Sequence, residues 1–597
     1  MASTLDLTPR ATARGVGSNA DTIVYDYTAA GSAFTRATRP DYFGWLEHLR
    51  AAAGCTRPIR LAGQVLTVES STGRVLNQRH TDGMPDAAIY TACGNRRATV
   101  CPSCAQTYQR DAFQLLRAGL VGGKGVPDTV ATHPAVFATF TAPSFGTVHA
   151  RVVKRHTCRN RRRCDCRAEP CHARRDAGLC EHGRPAVCWA RHEAGDAVLG
   201  HPLCLDCYDH DHQVVWNIFS GELWHRTKQA AERYLARLAR RRGIPRVEVV
   251  TASGKTRRVP PVRVSPGKVA ELQARGAVHF HAIARLDGVD GHDPNAIVPP
   301  PAGFTIDDLV DALRHAARQV AFHTPSHPDR PDGWLISWGD PEKGVDIRPI
   351  TTGVDGDVTD GMVAGYLAKY ATKSTEATGH TSTRLTADSI GDYADPDGDH
   401  TARLIDACWR IGRPTSTPAP LSERPRDPRP TPGFVDRWEC PDCGTPTPYA
   451  ACPTCIAARQ AALDAQPASR PQATNPYARL RRWAHMLGYG GHFLTKARRY
   501  SVTFQLLRDT RIAYRRHEDQ AHDHPAVGGQ LVDRLGEDDT TLIVGTLTFA
   551  GAGWHTTGDA LLANTAAALA RERRTTGREE LAHELSTTPA GTVPAAA

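Results

Sequence analysis

Lysine is scarce in this chain of 597 residues. Nine of its 73 basic residues are lysine and 64 are arginine. The sequence is also rich in alanine, glycine and proline, so the arginine bias is read first as the mark of a GC-rich coding sequence. The net charge of +10 is a moderate excess that favours a polyanionic partner. No run of about 18 apolar residues occurs, which argues against a membrane span. The opening stretch MASTLDLTPRATARG has no apolar core of a secretory leader, so the expected location is cytoplasmic. A nucleotide-binding Walker A loop is missing too: Gly254-Lys255-Thr256 has Val249 where the first glycine belongs. No helicase motor is therefore encoded, and no internal repeat suggests a solenoid.

Cysteine, by contrast, is abundant, at 17. In a cytoplasmic chain these are read as metal ligands before disulfides. Chance spacing predicts about half of one Cys-x-x-Cys pair. Four occur: Cys101/Cys104, Cys204/Cys207, Cys440/Cys443 and Cys452/Cys455. Such a turn points two thiolates at one tetrahedral Zn²⁺. Cys440, Cys443, Cys452 and Cys455 have the spacing of a zinc ribbon or knuckle. Cys101 and Cys104 find their other ligands in Cys55 and Cys93. Cys204 and Cys207 are expected to join Cys180 and Cys188, with His182 as a rival ligand. Cys158, Cys164, Cys166 and Cys171 are left over, and Cys408 reads as a buried small hydrophobe. Sites closed by four protein ligands are structural and not catalytic.

Along the chain, 1–40 reads as a flexible lead, 41–125 as a Cys-rich zinc-binding region and 126–400 as the main domain, with a Cys/His-rich insertion at 151–215. A Pro-rich linker follows at 401–435, then a zinc module at 436–460, a helical, basic C-terminal region at 461–575 and a disordered tail at 576–597. Helices are expected at 106–120, 219–242 and 361–375. Strands are expected at 134–142, 246–251 and 277–286, and WLISW and VDIRPI form a candidate strand pair within 334–350. The class is α+β.

Two pieces carry chemistry. His279-Phe280-His281 lies in a β-prone run, so both imidazoles point to one face about 7 Å apart. They could share a divalent ion, although roughly one His-x-His is expected by chance among the 27 histidines. The second piece is Tyr366-Leu-Ala-Lys369-Tyr370-Ala-Thr-Lys373. On a helix, Tyr366 and Tyr370 share a face, and Lys369 and Lys373 share the neighbouring one. A metal-polarised phosphate could be attacked by a tyrosine, with Lys369 and Lys373 stabilising charge. A second tyrosine permits a second cut while the first is occupied.

The run Glu271-Leu-Gln273-Ala-Arg275-Gly276-Ala-Val-His279-Phe280-His281 resembles motif 2 of the HUH endonucleases. Phe137-Ala-Thr-Phe-Thr141 resembles their motif 1, and Tyr366-Leu-Ala-Lys369-Tyr370 their motif 3 in its two-tyrosine form. With the CGNRR…CPSC block and RWAHMLGYGGHFLTKARRYS, the chain looks most like rolling-circle replication initiators of actinobacterial plasmids and integrative elements. The resemblance implies a central antiparallel sheet with flanking helices, bearing His279 and His281 beside the tyrosine helix. It implies Mg²⁺ or Mn²⁺, with Gln273 or Glu271 as third ligand. Tyr370 would be the first nucleophile and Tyr366 the second. The partners implied are single-stranded DNA, double-stranded origin DNA, a host helicase and a DNA polymerase. A two-tyrosine HUH transposase and a non-catalytic zinc-rich DNA-binding regulator are the competing readings.

Overall fold

The computed structural model describes residues 28–69, 72–153, 168–173, 178–251, 254–350, 359–372, 384–413, 438–440, 443–447, 452–464, 475–497, 499–500, 504, 507 and 541–587. The chain divides into two compact units. One comprises 1–94, 100–104 and 528–597, the other 95–99 and 105–527. Among the described residues no helix is long and apolar enough to cross a membrane.

In the first unit, the strand Ile59–Glu69 lies between Val75–His80 and Thr541–Ala552. Both pairings are antiparallel, with Ile59 opposite Ala552 and Glu69 opposite Thr541. A small core of Trp45, Leu49, Ala52, Tyr90 and Ala563 packs nearby in the same unit. Asp86 accepts bonds from Arg36, Trp45 and Tyr90, and Arg36 also reaches Asp559 at 2.7 Å. The regions read from sequence as 41–125 and 461–575 thus each contribute a strand to one sheet. The strand at 541–552 was not expected in a helical region. Alternation in LIVGTLTFAGA marks it, and only pairing with a distant strand realises it.

In the second unit the principal elements in chain order are α1 (Pro102–Val121), β1 (Ala135–Thr141), α2 (His210–Arg241), β2 (Val262–Leu272), β3 (Val278–Gly288), α3 (Ile306–Gln319), β4 (Val345–Pro349), α4 (Asp360–Tyr370), α5 (His400–Ile411) and β5 (Leu494–Lys496). The strands form a five-stranded antiparallel sheet in the order β4-β1-β3-β2-β5. Alternation along β1 and β3 serves two cores. Phe140 and Phe280 point into a large one with Trp216, Leu223, Leu235, Leu309, Leu313 and Trp338, drawn in part from α2 and α3. Ile283, with Val269 on β2, points the other way, towards Leu116, Ala364, Leu367 and Ala371. A sheet covered on both faces needs apolar residues on both, which is why β3 reads as a near-continuous apolar run.

Several expectations change. The stretch read as a flexible lead, 1–40, contains the helix Ala29–Ala37, and the helix Thr557–Thr587 runs into the tail read as disordered from 576. The strand candidates WLISW and VDIRPI do not pair with each other. Leu335–Ser337 pairs with Ala321–His323, and β4 pairs with β1. Helix α2 begins at His210, nine residues before the expected 219, because Asp209 caps it by accepting from the His212 N–H. The linker expected from 401 gives way to α5, capped by Asp399 and burying Leu404, Ile405, Cys408 and Ile411 at helical spacing. Residues 414–437 lie outside the described residues.

Candidate active site

The hairpin of β2 and β3 is locked at its turn before the histidines begin. Gly276 has φ +76°, and a Cβ there would stand 2.6 Å from Leu487. Asn217 donates to the carbonyls of Gly276 (3.0 Å) and Leu487 (2.7 Å) and accepts from the Val278 N–H at 2.9 Å. The Arg275 guanidinium donates to Gln273 Oε1 (2.9 Å), Pro143 O (3.0 Å) and Ala142 O (3.2 Å). These bonds hold the register in which Glu271 faces His279 and Thr139 and Thr141 face His281 and His279.

Beyond the turn, His279 and His281 point to one face, their ring centroids 4.4 Å apart. Thr141 Oγ1 lies 3.0 Å from His279 Nδ1, and Thr139 Oγ1 lies 3.2 Å from His281 Nδ1. Each threonine thereby orients a ring from the neighbouring strand. Phe137 stacks on His281 at 5.8 Å with only 8° between the planes. Burial, then the His281 charge, pushes His279 down to about 3, so it is neutral at pH 7 with a lone pair available. Glu271 Oε2 is 3.3 Å from His281 Nε2. Gln273, the other candidate third ligand, spends its carbonyl on Arg275. Two imidazoles and a carboxylate can serve a divalent ion such as Mn²⁺, although their donor atoms do not all converge within 4.8 Å as those of the Cys/His groups do.

Helix α4 brings the tyrosines. Thr359 caps it by accepting from the Met362 N–H, and Val363, Ala364, Leu367 and Ala368 are its buried stripe. Tyr366 and Tyr370 border that stripe with ring centroids 4.4 Å apart. Both face His281, at 5.0 Å and 5.4 Å between centroids. The Tyr366 hydroxyl is 3.5 Å from His281 Nε2 while 40% of the residue remains exposed. Burial, the bond with Tyr370 and the Glu271 charge raise the Tyr366 phenol above its ordinary range. Lys369 is exposed, and Lys373 lies outside the described residues. Phe137, Thr139 and Thr141 entered the sequence reading only as part of the run resembling motif 1, without individual roles. Their signal was alternation on a strand facing the histidine strand, legible only once the register is known.

Near the end of α4, Arg96 donates to Ala371 O at 3.1 Å and lies 3.6 Å over the Phe493 ring. Both arginine and phenylalanine line an open groove of about 360 Å³ with Arg97, Tyr108, Trp483, His485 and Tyr489. Guanidinium groups and aromatic faces in one groove suit a nucleic-acid strand.

Among the described residues, four Cys/His groups have donor atoms all within 4.8 Å of one another, close enough to share a metal ion. Cys55, Cys93, Cys101 and Cys104 form the first and Cys440, Cys443, Cys452 and Cys455 another, the sets read from spacing. The contact between Cys55 and Cys104 lowers the Cys55 thiol and raises that of Cys104, so the pair gives up its first proton more readily, and its second less readily, than two isolated thiols would. The third set is corrected. Cys180, Cys204 and Cys207 converge with His182, whose Nδ1 is 3.2 Å from Cys207 Sγ. Cys188 stands instead with Cys171, His149 and His192. Distance in the chain misassigned Cys188, because the backbone bridge between His172 and Cys188 folds it back toward Cys171. Cys158, Cys164 and Cys166 lie outside the described residues. All four groups could hold structural zinc.

A family model described as replication initiator protein, pSAM2, matches residues 41–437 and 445–568. A replication initiator protein of Streptomyces ambofaciens is 35% identical over 572 residues, which cover 95% of this chain and 98% of that protein. No solved structure matches. A match of this extent, across both units, shows that the chain belongs to the pSAM2-type replication initiator family.

Proposed function

We propose that this protein starts rolling-circle replication by nicking single-stranded origin DNA through a tyrosine. The observation that carries the reading is the meeting of two faces: His279 and His281 on β3, and Tyr366 and Tyr370 on α4, with a tyrosine hydroxyl 3.5 Å from His281. The phenol oxygen attacks phosphorus, the P–O3′ bond breaks, and the products are a 5′-phosphotyrosine and a free 3′-OH. The ester keeps the bond energy, so the 3′-OH can reverse the step and rejoin the strand. A Mg²⁺ or Mn²⁺ ion held by His279, His281 and Glu271 would supply positive charge at the phosphate oxygens. The phenol proton leaves to water as the new bond forms, because His281 Nε2, the nitrogen facing the hydroxyl, would be taken by the ion. Lys369, and Lys373 further along, would add positive charge. The groove at Arg96 and Phe493 suits the strand flanking the cut. A host helicase would open the duplex, and a DNA polymerase would extend the 3′-OH. The family membership supports replication over transposition as the purpose of the cut.

The test is incubation of the full-length protein with single-stranded oligonucleotides tiling the DNA around its gene, with and without Mn²⁺. A metal-dependent covalent adduct is expected, mapped by mass spectrometry to Tyr370 or Tyr366. Tyr370 is the first nucleophile by resemblance; Tyr366 has the hydroxyl at His281. Y366F/Y370F should form none. Glu271→Gln should lose at least tenfold in rate, whereas Gln273→Ala should retain metal-dependent cleavage. No adduct from folded protein that still binds these oligonucleotides would leave the non-catalytic regulator as the better reading.

A further inference from the structure

Between β1 and α2, eight histidines and cysteines converge in two groups of four. In chain order they are His149, Cys171, Cys180, His182, Cys188, His192, Cys204 and Cys207. The first and third pairs meet in one group, and the second and fourth pairs in the other. The two groups are therefore interleaved, and neither can be lifted out as a separate loop.

The first group has the internal contacts of a metal site. His149 Nδ1 lies 3.2 Å from His192 Nε2, which lies 3.5 Å from Cys188 Sγ. The Ala150 N–H donates to Cys171 Sγ at 3.1 Å, a contact that favours the thiolate. His192 turns its other nitrogen, Nδ1, to Asp196 Oδ2 at 3.1 Å. A carboxylate behind an imidazole fixes the proton on the far nitrogen and leaves the lone pair facing the centre of the group. Among the described residues of the segment, the strand-like pairings are the isolated bridges Val148 to Pro202, Val152 to Glu169, His172 to Cys188 and Leu179 to Pro185. Leu179, Trp189 and Val198 are exposed.

The segment also rests on the histidine hairpin. Gly200, at φ +85°, lies so close to the turn that a Cβ there would be 2.5 Å from the Ala274 carbonyl carbon and the Arg275 nitrogen. Asp206, between Cys204 and Cys207, pairs with Arg403 of α5 at 2.7 Å.

We propose that two zinc ions bind in interleaved sites, a Cys₂His₂ site of His149, Cys171, Cys188 and His192 and a Cys₃His site of Cys180, His182, Cys204 and Cys207, and that the described residues so held, through Gly200, brace the turn leading to His279. Nitrogen and thiolate ligands in fours select zinc among the common divalent ions. The inference stands whether or not the chain cleaves DNA.

The test is zinc content by mass spectrometry of full-length protein carrying His149→Ala, Cys171→Ser, Cys207→Ser, or both cysteine changes. The double variant is expected to lose two equivalents. Each single variant should lose one, or two if the ions bind cooperatively. Wild-type content in both His149→Ala and Cys171→Ser would overturn the proposal. If these variants do not fold, Cys171→His keeps four ligands and can be loaded with Co²⁺. Unchanged cobalt content with weaker thiolate-to-cobalt absorption is expected; unchanged absorption would overturn the assignment of Cys171.

Discussion

Thr139 and Thr141 hold the inner nitrogens of His281 and His279 from the neighbouring strand, and their hydroxyls are the smallest groups that can do so. Valine has the same shape without the hydrogen bond, so Thr139→Val and Thr141→Val test orientation apart from packing. Each should lower metal-dependent cleavage about tenfold and raise the Mn²⁺ concentration needed for half-maximal rate. The thermal midpoint should move little. An unchanged Mn²⁺ requirement in both variants would mean that the threonines do not orient the rings. The sequence made His279 and His281 visible by their spacing and placed the threonines in a run resembling motif 1, but it did not show which ring each threonine meets. Choosing between Glu271 and Gln273 likewise needed the position of Arg275, two residues further on in the chain yet folded back onto Gln273.

At the scale of elements, β2 carries a cost that bears on stability rather than chemistry. Lys268 sits on the face of β2 opposite Glu271, buried, with its ammonium 3.7 Å over the Phe280 ring. Burial pushes it down to about 7 from 10.5. Between those values the unfolded chain holds a proton that the folded chain has released. Stability should therefore rise with pH from about 7 to about 10.5, and the full penalty applies below 7. Lys268→Met should stabilise the protein by about 3 kcal/mol at pH 6, after allowing for the lost contact with the ring, and by progressively less at higher pH. Denaturant unfolding at pH 6 and pH 9 reads this directly. Equal gains at both pH values would show that the amine is not desolvated. Of the elements around this position, β1, β3, α2 and α4 were legible from pattern, with the start of α2 shifted by its Asp209 cap, whereas β2, α3 and α5 were not read as elements. The partner of β4 was not legible, because two apolar strands in sequence look like a hairpin whether or not they pair.

Over the whole molecule, the first unit is assembled from both ends of the chain. Eleven residues, from Ile59 to Glu69, pair with Thr541–Ala552, and Arg36 reaches Asp559. Ending the chain at residue 540 would remove that partner strand, Ala563 from the core and one side of the arginine pair. Residues 28–94 should then become protease-sensitive, while fragments within 105–527 stay resistant. Limited proteolysis with mass spectrometry measures this, and unchanged resistance of 28–94 would show that the strand pairing adds little stability.

By itself, the sequence determined what local pattern can carry: the apolar alternation of β1 and β3, the shared faces of His279/His281 and Tyr366/Tyr370, and the two cysteine quartets whose members stay in simple order. Tertiary structure alone decided the partners of Cys188, the strand beside β4, and the sheet joining Ile59–Glu69 to Thr541–Ala552, while the meeting of histidines with tyrosines was expected only through resemblance. Those contacts join groups that the chain separates by tens to hundreds of residues. Their free energy comes from closing loops around ligands, ladders and cores, and a window of sequence contains only one side of each.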